Sequence, residues 1–181
     1  MRIISGAFRS RKINAPANLP IRPTTDFAKE GIFNIINNHI NFTDITVLDI
    51  FAGTGSITYE FISRGCIEAT TVDINSKCID FMHKTKELYH LENMFIVKGD
   101  VFVYINRCHK DFDVIFADPP YEMEKIKELP HLIFEKKLLK PNGWLIIEHA
   151  VSNNFSEHPR FIEHRNYGKV NFSIFKQNEL I

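Results

Sequence analysis

Cysteine is scarce in this chain: Cys66, Cys78 and Cys108, an odd number with no CxxC spacing. A disulfide framework is excluded, and reduced thiols in a cytoplasmic protein are expected. No apolar run approaches the roughly 20 residues a bilayer span needs. The N-terminus has neither a signal-like apolar stretch nor a small-residue cleavage pattern, so no membrane association is expected. The eight histidines are scattered without paired ligand spacing, and no metal is expected. There is no nucleophile elbow, no internal repeat and no low-complexity segment. Net charge is absent too, with 22 basic against 22 acidic side chains, which excludes a wholly basic nucleic-acid binder. What remains is a chain of 181 residues, room for one domain with a small appendage. With no exposed apolar stripe in view, a monomer is expected.

The neutral total hides an asymmetry. Residues 1–29 hold six basic side chains, Arg2, Arg9, Arg11, Lys12, Arg22 and Lys29, against Asp26 alone. The rest of the chain is correspondingly acidic. Such an arm either meets phosphate or is a solvated surface segment, and its charge alone does not decide. Residues 2–6 and 11–14 flank a polar turn and are expected to form a basic hairpin. Pro16, Pro20 and Pro23 then break regular structure. The expected division is therefore 1–23, hairpin and linker, and 24–181, the main domain.

Thr24, Thr25 and Asp26 supply helix-start chemistry ahead of Phe27, Ile32, Phe33, Ile36 and Ile40 at helical spacing. Gly31 inside that pattern costs about 1 kcal/mol against alanine, so this helix needs tertiary support. From residue 46 strands and helices alternate. Strands are expected over 46–51, 69–73, 94–97, 112–117 and 144–148, with helices over 56–63, 75–89, 101–108 and 122–139 between them. Pro141-Asn142-Gly143 reads as a turn, and Phe81, Met82 and Leu88 as helix core. Residues 160–164 and 170–175 are expected to pair as an antiparallel hairpin. The fold class is α/β: a Rossmann-like, mostly parallel seven-stranded sheet with a C-terminal hairpin and a small N-terminal β-hairpin extension.

Two motifs close buried-strand runs, at the edge where open α/β sheets bind ligands. The first is Asp49-Ile50-Phe51-Ala52-Gly53-Thr54-Gly55. Its glycines let backbone approach a ligand, although a purely structural tight turn is an equal reading. The dinucleotide fingerprint asks for a third glycine where Thr58 stands, which disfavours NAD or FAD but is compatible with S-adenosylmethionine (SAM). Asp73, ending the second strand, is placed to accept ribose hydroxyls, and Asp100, after the third, an adenine amine. Either could instead be a turn former or cap. Asp49, Asp73, Asp100 and Asp118 each follow a separate apolar run, and four carboxylates at one edge need a polar ligand or hydrogen bonds between them.

The second motif, Asp118-Pro119-Pro120-Tyr121, is the more specific. An exocyclic purine amine is a poor nucleophile because its lone pair is delocalised into the ring. An ionised Asp118 and the Pro119 carbonyl offer acceptors only, and can grip the two N–H bonds so that the lone pair is localised. The prolines stiffen the loop, and Tyr121 offers a face for an extruded base. The bland alternative is a Pro-Pro turn capping a strand. Together the motifs point to methyl transfer from SAM onto an exocyclic nitrogen.

These residues resemble the class I SAM-dependent methyltransferases, and within them the bacterial RsmD-type enzymes that methylate a guanine N2 of 16S ribosomal RNA. Met1-Arg2-Ile3-Ile4-Ser5-Gly6 with Arg11-Lys12-Ile13 resembles that family's opening. Arg22-Pro23-Thr24-Thr25-Asp26 with Lys29-Glu30 and Ile32-Phe33-Asn34, and later Tyr167-Gly168, resemble further signatures. The resemblance spans nearly the whole chain. It implies a SAM site at Asp49, Phe51, Ala52, Gly53, Thr54, Gly55, Asp73, Ile74, Asp100 and Val101, with S-adenosylhomocysteine as product. It implies a base grip at Asp118, Pro119, Pro120 and Tyr121, and contact with 16S RNA or a partly assembled small subunit through Arg2, Arg9, Arg11, Lys12, Arg22 and Thr24. Gly31, where alanine is expected, and the neutral charge depart from the pattern. Two rivals stand: an adenine-N6 DNA methyltransferase, which usually carries an inserted recognition region, and a non-catalytic RNA-binding or assembly factor retaining the fold. A protein-glutamine methyltransferase would call for Asn at position 118.

Overall fold

The computed structural model describes residues 1–16, 19 and 25–178. The strands are β1 (Thr46–Ile50), β2 (Glu68–Asp73), β3 (Met94–Lys98), β4 (Phe112–Ala117), β5 (Leu139–His149), β6 (Phe161–Tyr167) and β7 (Val170–Lys176). The helices are α1 (Asp26–His39), α2 (Ser56–Ser63), α3 (Ser76–Tyr89), α4 (Val101–Arg107) and α5 (Glu128–Glu135). The strands make one sheet in the order β3-β2-β1-β4-β5-β7-β6, with β1 to β5 parallel and β7 antiparallel to both neighbours.

The apolar runs of β1 and β4 are long because both faces of the sheet are covered, leaving Val47, Leu48, Ile50 and Val114–Ala117 without exposure. On one face α1, α2 and α3 pack over Val47, Phe116, Ile146 and Phe172. On the other, α4 and α5 cover Leu48, Ile115, Leu145 and Ile147. Strand order reverses between β1 and β4, and the crevice that ligands use in such sheets opens there.

The N-terminal hairpin contracts to a single antiparallel bridge, Arg2 to Lys12. Helix α2 explains why no longer ladder forms. The Ile4 and Ser5 N–H groups donate to the Glu60 carboxylate at 2.8 and 3.0 Å. Phe8 N–H donates to Ser63 Oγ at 3.0 Å, and Ala7 N–H to the Ser63 carbonyl at 2.7 Å. Backbone donors that a ladder would need are thus committed to a neighbouring helix. Ile3 and Ile13 sink into the core beside α1.

Three expectations need correction. The helix expected over 122–139 is a 3-10 turn, Glu124–Lys127, followed by the short α5, because Leu139 already pairs with Phe112 in the sheet. Pro141–Gly143 is no free turn but a bulge inside β5, with Asn142 at φ 62° and a register shift opposite Phe112 and Val114. Leu88 is 71% exposed rather than core. The buried stripe of α3 runs through Cys78, Ile79, Met82 and Thr85, which turns position 88 to solvent.

Gly31 has a packing reason. A Cβ there would lie 2.2 Å from Cε1 of Tyr167, whose ring also meets Phe27 edge-on at 5.7 Å. Close approach of the β6–β7 turn to α1, not backbone freedom, requires glycine. Gly31→Ala should therefore destabilise the protein by about 1–3 kcal/mol through overpacking, despite a helix-propensity gain of about 1 kcal/mol. Urea unfolding of this variant, with and without Tyr167→Ala, measures it, and the double substitution should recover part of the loss.

Candidate active site

A cleft of about 1070 Å³ opens at the C-terminal ends of β1, β2, β4 and β5. That exceeds the roughly 300–1,000 Å³ of ordinary small-molecule sites, enough for a nucleoside-sized cofactor and part of a second ligand. Its walls include Asp49, Phe51, Ala52, Gly53 and Thr54 after β1, Asp73 and Ile74 after β2, and Asp100 and Val101 before α4. Asp118, Pro119, Pro120 and Tyr121, after β4, line the same cleft. Gly55 lies just behind the wall as the N-cap of α2 at φ 80°, where a Cβ would come 3.0 Å from the buried Tyr59 ring. The two motifs, far apart in the chain, face one space.

The loop after β1 is held by its neighbours. Phe51, a non-glycine residue, takes φ 62°, and Gly53 follows at 55°. Gly53 N–H donates to Asp73 Oδ2 at 2.8 Å, and Asn75 N–H to Asp73 Oδ1 at 2.7 Å. Asp73 thus organises two turns, and an ionised carboxylate with about four acceptor positions keeps capacity for hydroxyl donors. Asp100 caps α4 through Val103 N–H at 2.9 Å while lining the cleft, so the cap and cleft readings coexist. Ile74, 67% exposed, and Val101 put apolar surface beside these acids. Acidic acceptors flanking apolar surface fit a ribose and adenine, and the donor set suits SAM.

Asp49 is fully buried. Both the N–H and the hydroxyl of Thr58 donate to its Oδ2, at 3.1 and 2.6 Å. This is the position where a dinucleotide loop wants glycine, and here its hydroxyl pins α2 to the end of β1. Burial pushes the Asp49 carboxyl up to about 7, opposed by the Thr58 hydrogen bonds and reinforced by Asp73.

In the sequence Glu148 is simply the end of the expected strand 144–148. It is 3% exposed, lines the cleft, and accepts a hydrogen bond from the Tyr121 hydroxyl at 3.1 Å. A carboxylate closing the run Trp144–Ile147 is the same signal that singled out Asp49, Asp73 and Asp118. On the opposite rim stand Phe27, 68% exposed, with Tyr167, Gly168 and Lys169.

The basic arm lies outside the cleft but adjoins it. Met1 Sδ meets Thr54 Oγ1 at 3.8 Å. Arg2 pairs with Asp26 at 3.2 Å, and the Arg11 guanidinium sits over the Phe8 and Tyr89 rings at 5.2 and 5.3 Å. Arg9 and Lys12 are exposed, while Arg22 and Thr24 lie outside the described residues. Lys29 leaves the set: it is 1% exposed, donates to the Arg2 carbonyl at 2.6 Å and lies 3.8 Å from Glu60. Among the described residues no cluster of His, Cys, Asp or Glu could hold a metal ion, and no helix is long and apolar enough to cross a membrane.

A reversed-order parallel sheet, an antiparallel C-terminal pair, a glycine loop with an acid ending β2, and an Asp-Pro-Pro-Tyr loop in one cleft define a class I SAM-dependent methyltransferase. The model for the family described as Conserved hypothetical protein 95 matches residues 1–176, and the chain belongs to that family, the RsmD type. It is 36% identical over 153 residues to YlbH of Bacillus subtilis, provisionally named an rRNA methyltransferase, covering 82% of each chain. It is 30% identical over 148 residues to Ribosomal RNA small subunit methyltransferase D of Escherichia coli, covering 82% of this chain and 71% of that one. The solved structure of yhhF from Escherichia coli, provisionally named a methyltransferase, shares the fold with a TM-score of 0.87 at 24% identity over 99% of both chains.

The buried Asp49 makes a pH-dependent statement. Its acid is weaker in the folded state, so its contribution is most favourable below the unfolded value of 3.8 and is lost as pH rises through about 7. Relative to Asp49→Asn, the wild type should lose on the order of 3 kcal/mol between pH 4 and pH 8 and then level off. Denaturant titrations of both proteins across that range check it.

Proposed function

We propose that the protein transfers the methyl group of SAM to the exocyclic N2 of a guanine in small-subunit ribosomal RNA. The observation that carries this reading is the shared cleft: the Gly53 loop with Asp73 on one side, Asp118 to Tyr121 on the other. The names of relatives such as the Escherichia coli small-subunit enzyme support RNA over DNA as substrate. So does the basic stretch running from Met1 to Lys12 beside the Thr54 loop. The short connections between motifs leave no inserted recognition region of the kind DNA adenine enzymes usually carry.

SAM, when bound, supplies an electrophilic methyl on a sulfonium. The remaining work falls to the chain. Asp73 and Asp100 accept from ribose and adenine, and Ile74 with Val101 excludes water from the adenine face. The target base leaves its stack and lies on Tyr121, whose ring is oriented by its hydrogen bond to Glu148. Asp118 and the Pro119 carbonyl accept from the amine's N–H groups and direct its lone pair toward the methyl. Pro119 is buried and Asp118 N–H donates to the Ile50 carbonyl at 3.3 Å, so the grip is anchored to β1 before substrate arrives. The methylated nitrogen is acidic, and water or Asp118 takes its proton.

Incubation with labelled SAM and naked 16S RNA, small-subunit particles or DNA, followed by nucleoside analysis, tests the reading. N2-methylguanosine from RNA is the expected product. Asp118→Ala should lower turnover by roughly a hundredfold or more while leaving SAM affinity near wild type. Unchanged methyl transfer by that variant would remove Asp118 from its assigned role.

A further inference from the structure

We propose that Glu148 accepts the N1–H of the target guanine and is the residue that separates guanine from adenine in this cleft; the assignment rests on the guanine reading above. β4 and β5 run parallel with Phe116 beside Ile146 and Ala117 beside Ile147. That pairing ends at Ala117 and Ile147, and the next residues are Asp118, just past β4, and Glu148, still in β5, each two positions beyond Phe116 and Ile146 of the shared face. Adjacent strands lie about 4.8 Å apart. Both carboxylates line the cleft, and Tyr121 donates its hydroxyl to Glu148 Oε1 at 3.1 Å, which places the stacking ring beside the pair of acids.

Two neighbouring carboxylates repel unless donors come between them. Ionised, they offer acceptors only, as does the Pro119 carbonyl. The edge of guanine that carries N2 presents a row of donors, the two amine N–H bonds and N1–H beside them. The corresponding edge of adenine sets a bare N1 lone pair next to its amine. An amine grip at Asp118 alone accepts either base. With Glu148 beside it, guanine meets a second acceptor with N1–H, whereas adenine turns a lone pair toward a carboxylate. The same pair that holds guanine thereby repels adenine.

The test compares rates of methyl transfer to ribosomal RNA carrying guanine or 2-aminopurine at the methylated position. 2-Aminopurine keeps the amine and lacks N1–H. Wild type should favour guanine by roughly tenfold or more. Glu148→Gln keeps the side chain's size and an oxygen for Tyr121 but exchanges one acceptor for an NH2 donor. It should lose about tenfold or more on guanine and stay within about threefold on 2-aminopurine, while Tyr121→Phe keeps the guanine preference. A wild type that methylates both bases alike overturns the assignment without any variant. A Glu148→Gln that slows both bases equally, or a Tyr121→Phe that abolishes the preference, overturns it in favour of a positioning role through Tyr121. N6-methyladenine as the wild-type product, or no product on RNA, marks instead the failure of the guanine reading itself.

Discussion

The structure depends on one buried carboxylate, Glu60. It is fully buried in α2 and receives Ile4 N–H and Ser5 N–H from the N-terminal segment, and Arg64 Nε at 3.0 Å from the end of its own helix. Lys29 of α1 stands 3.8 Å away and carries the tie onward, to the Arg2 carbonyl and to Ser56 Oγ at 3.3 Å. Burial lowers the Lys29 ammonium while Glu60 raises it, so each charge makes the other tolerable. A buried ion pair of this kind is weak support for stability in itself, but removing either partner leaves an uncompensated charge. Its consequence here is positional. The basic segment, the helix leading into the cleft rim and the helix behind the glycine loop are locked together at one point.

That lock makes the rest of the site a property of the sheet. β1, β2, β4 and β5 end at the same edge, and each has an acid at its last residue or directly beside it: Asp49, Asp73, Asp118 and Glu148. Their environments differ sharply. Asp49 faces Thr58 in the interior, where burial raises its carboxyl pKa to about 7, well above that of an ordinary carboxylate. Asp73 accepts one backbone donor on each oxygen, shapes the loops and keeps further acceptor positions. Asp118 and Glu148 sit beside Tyr121, where they meet whatever enters. One edge thus supplies a structural acid, a loop-organising acid and a pair lining the cleft beside Tyr121, by neighbours alone.

Local signals were legible in the sequence. The Asp-Pro-Pro-Tyr loop and the glycine turn announced themselves because their chemistry is contained in a few consecutive residues. Strand and helix placement followed from periodicity, down to the bounds of α2 and β4. What escaped was everything decided by a distant partner. Lys29 looks like one more charge of a basic arm until Glu60 is beside it. Gly31 looks like a defect until Tyr167 fills the space of its missing side chain. Glu148 closes an apolar run that reads equally well as core. The segment around Gly6 looks like a hairpin until Glu60 takes the donors before it and Ser63 those after it. Pattern reports the face a residue takes, not the residue it meets.

Charge distribution bears on how a neutral protein handles a polyanion. Phosphate affinity scales with the number of cations that reach the backbone, each adding about 0.7 to the salt slope for single strands. In the described arm Lys29 is withdrawn, Arg2 is paired with Asp26, and Arg9, Arg11 and Lys12 remain at the surface, joined by Lys169 on the cleft rim. For the RNA reading proposed above, so few cations give a shallow salt dependence and modest nonspecific binding. Recognition then falls to shape at the rim, where Phe27 and Tyr167 stand, and to the acceptors below. On the same reading, the acids of the cleft disfavour phosphate and favour a base that enters with its N–H groups leading. On that reading, the net charge of zero, which argues against a wholly basic nucleic-acid binder, is compatible with a cleft that takes a single extruded base.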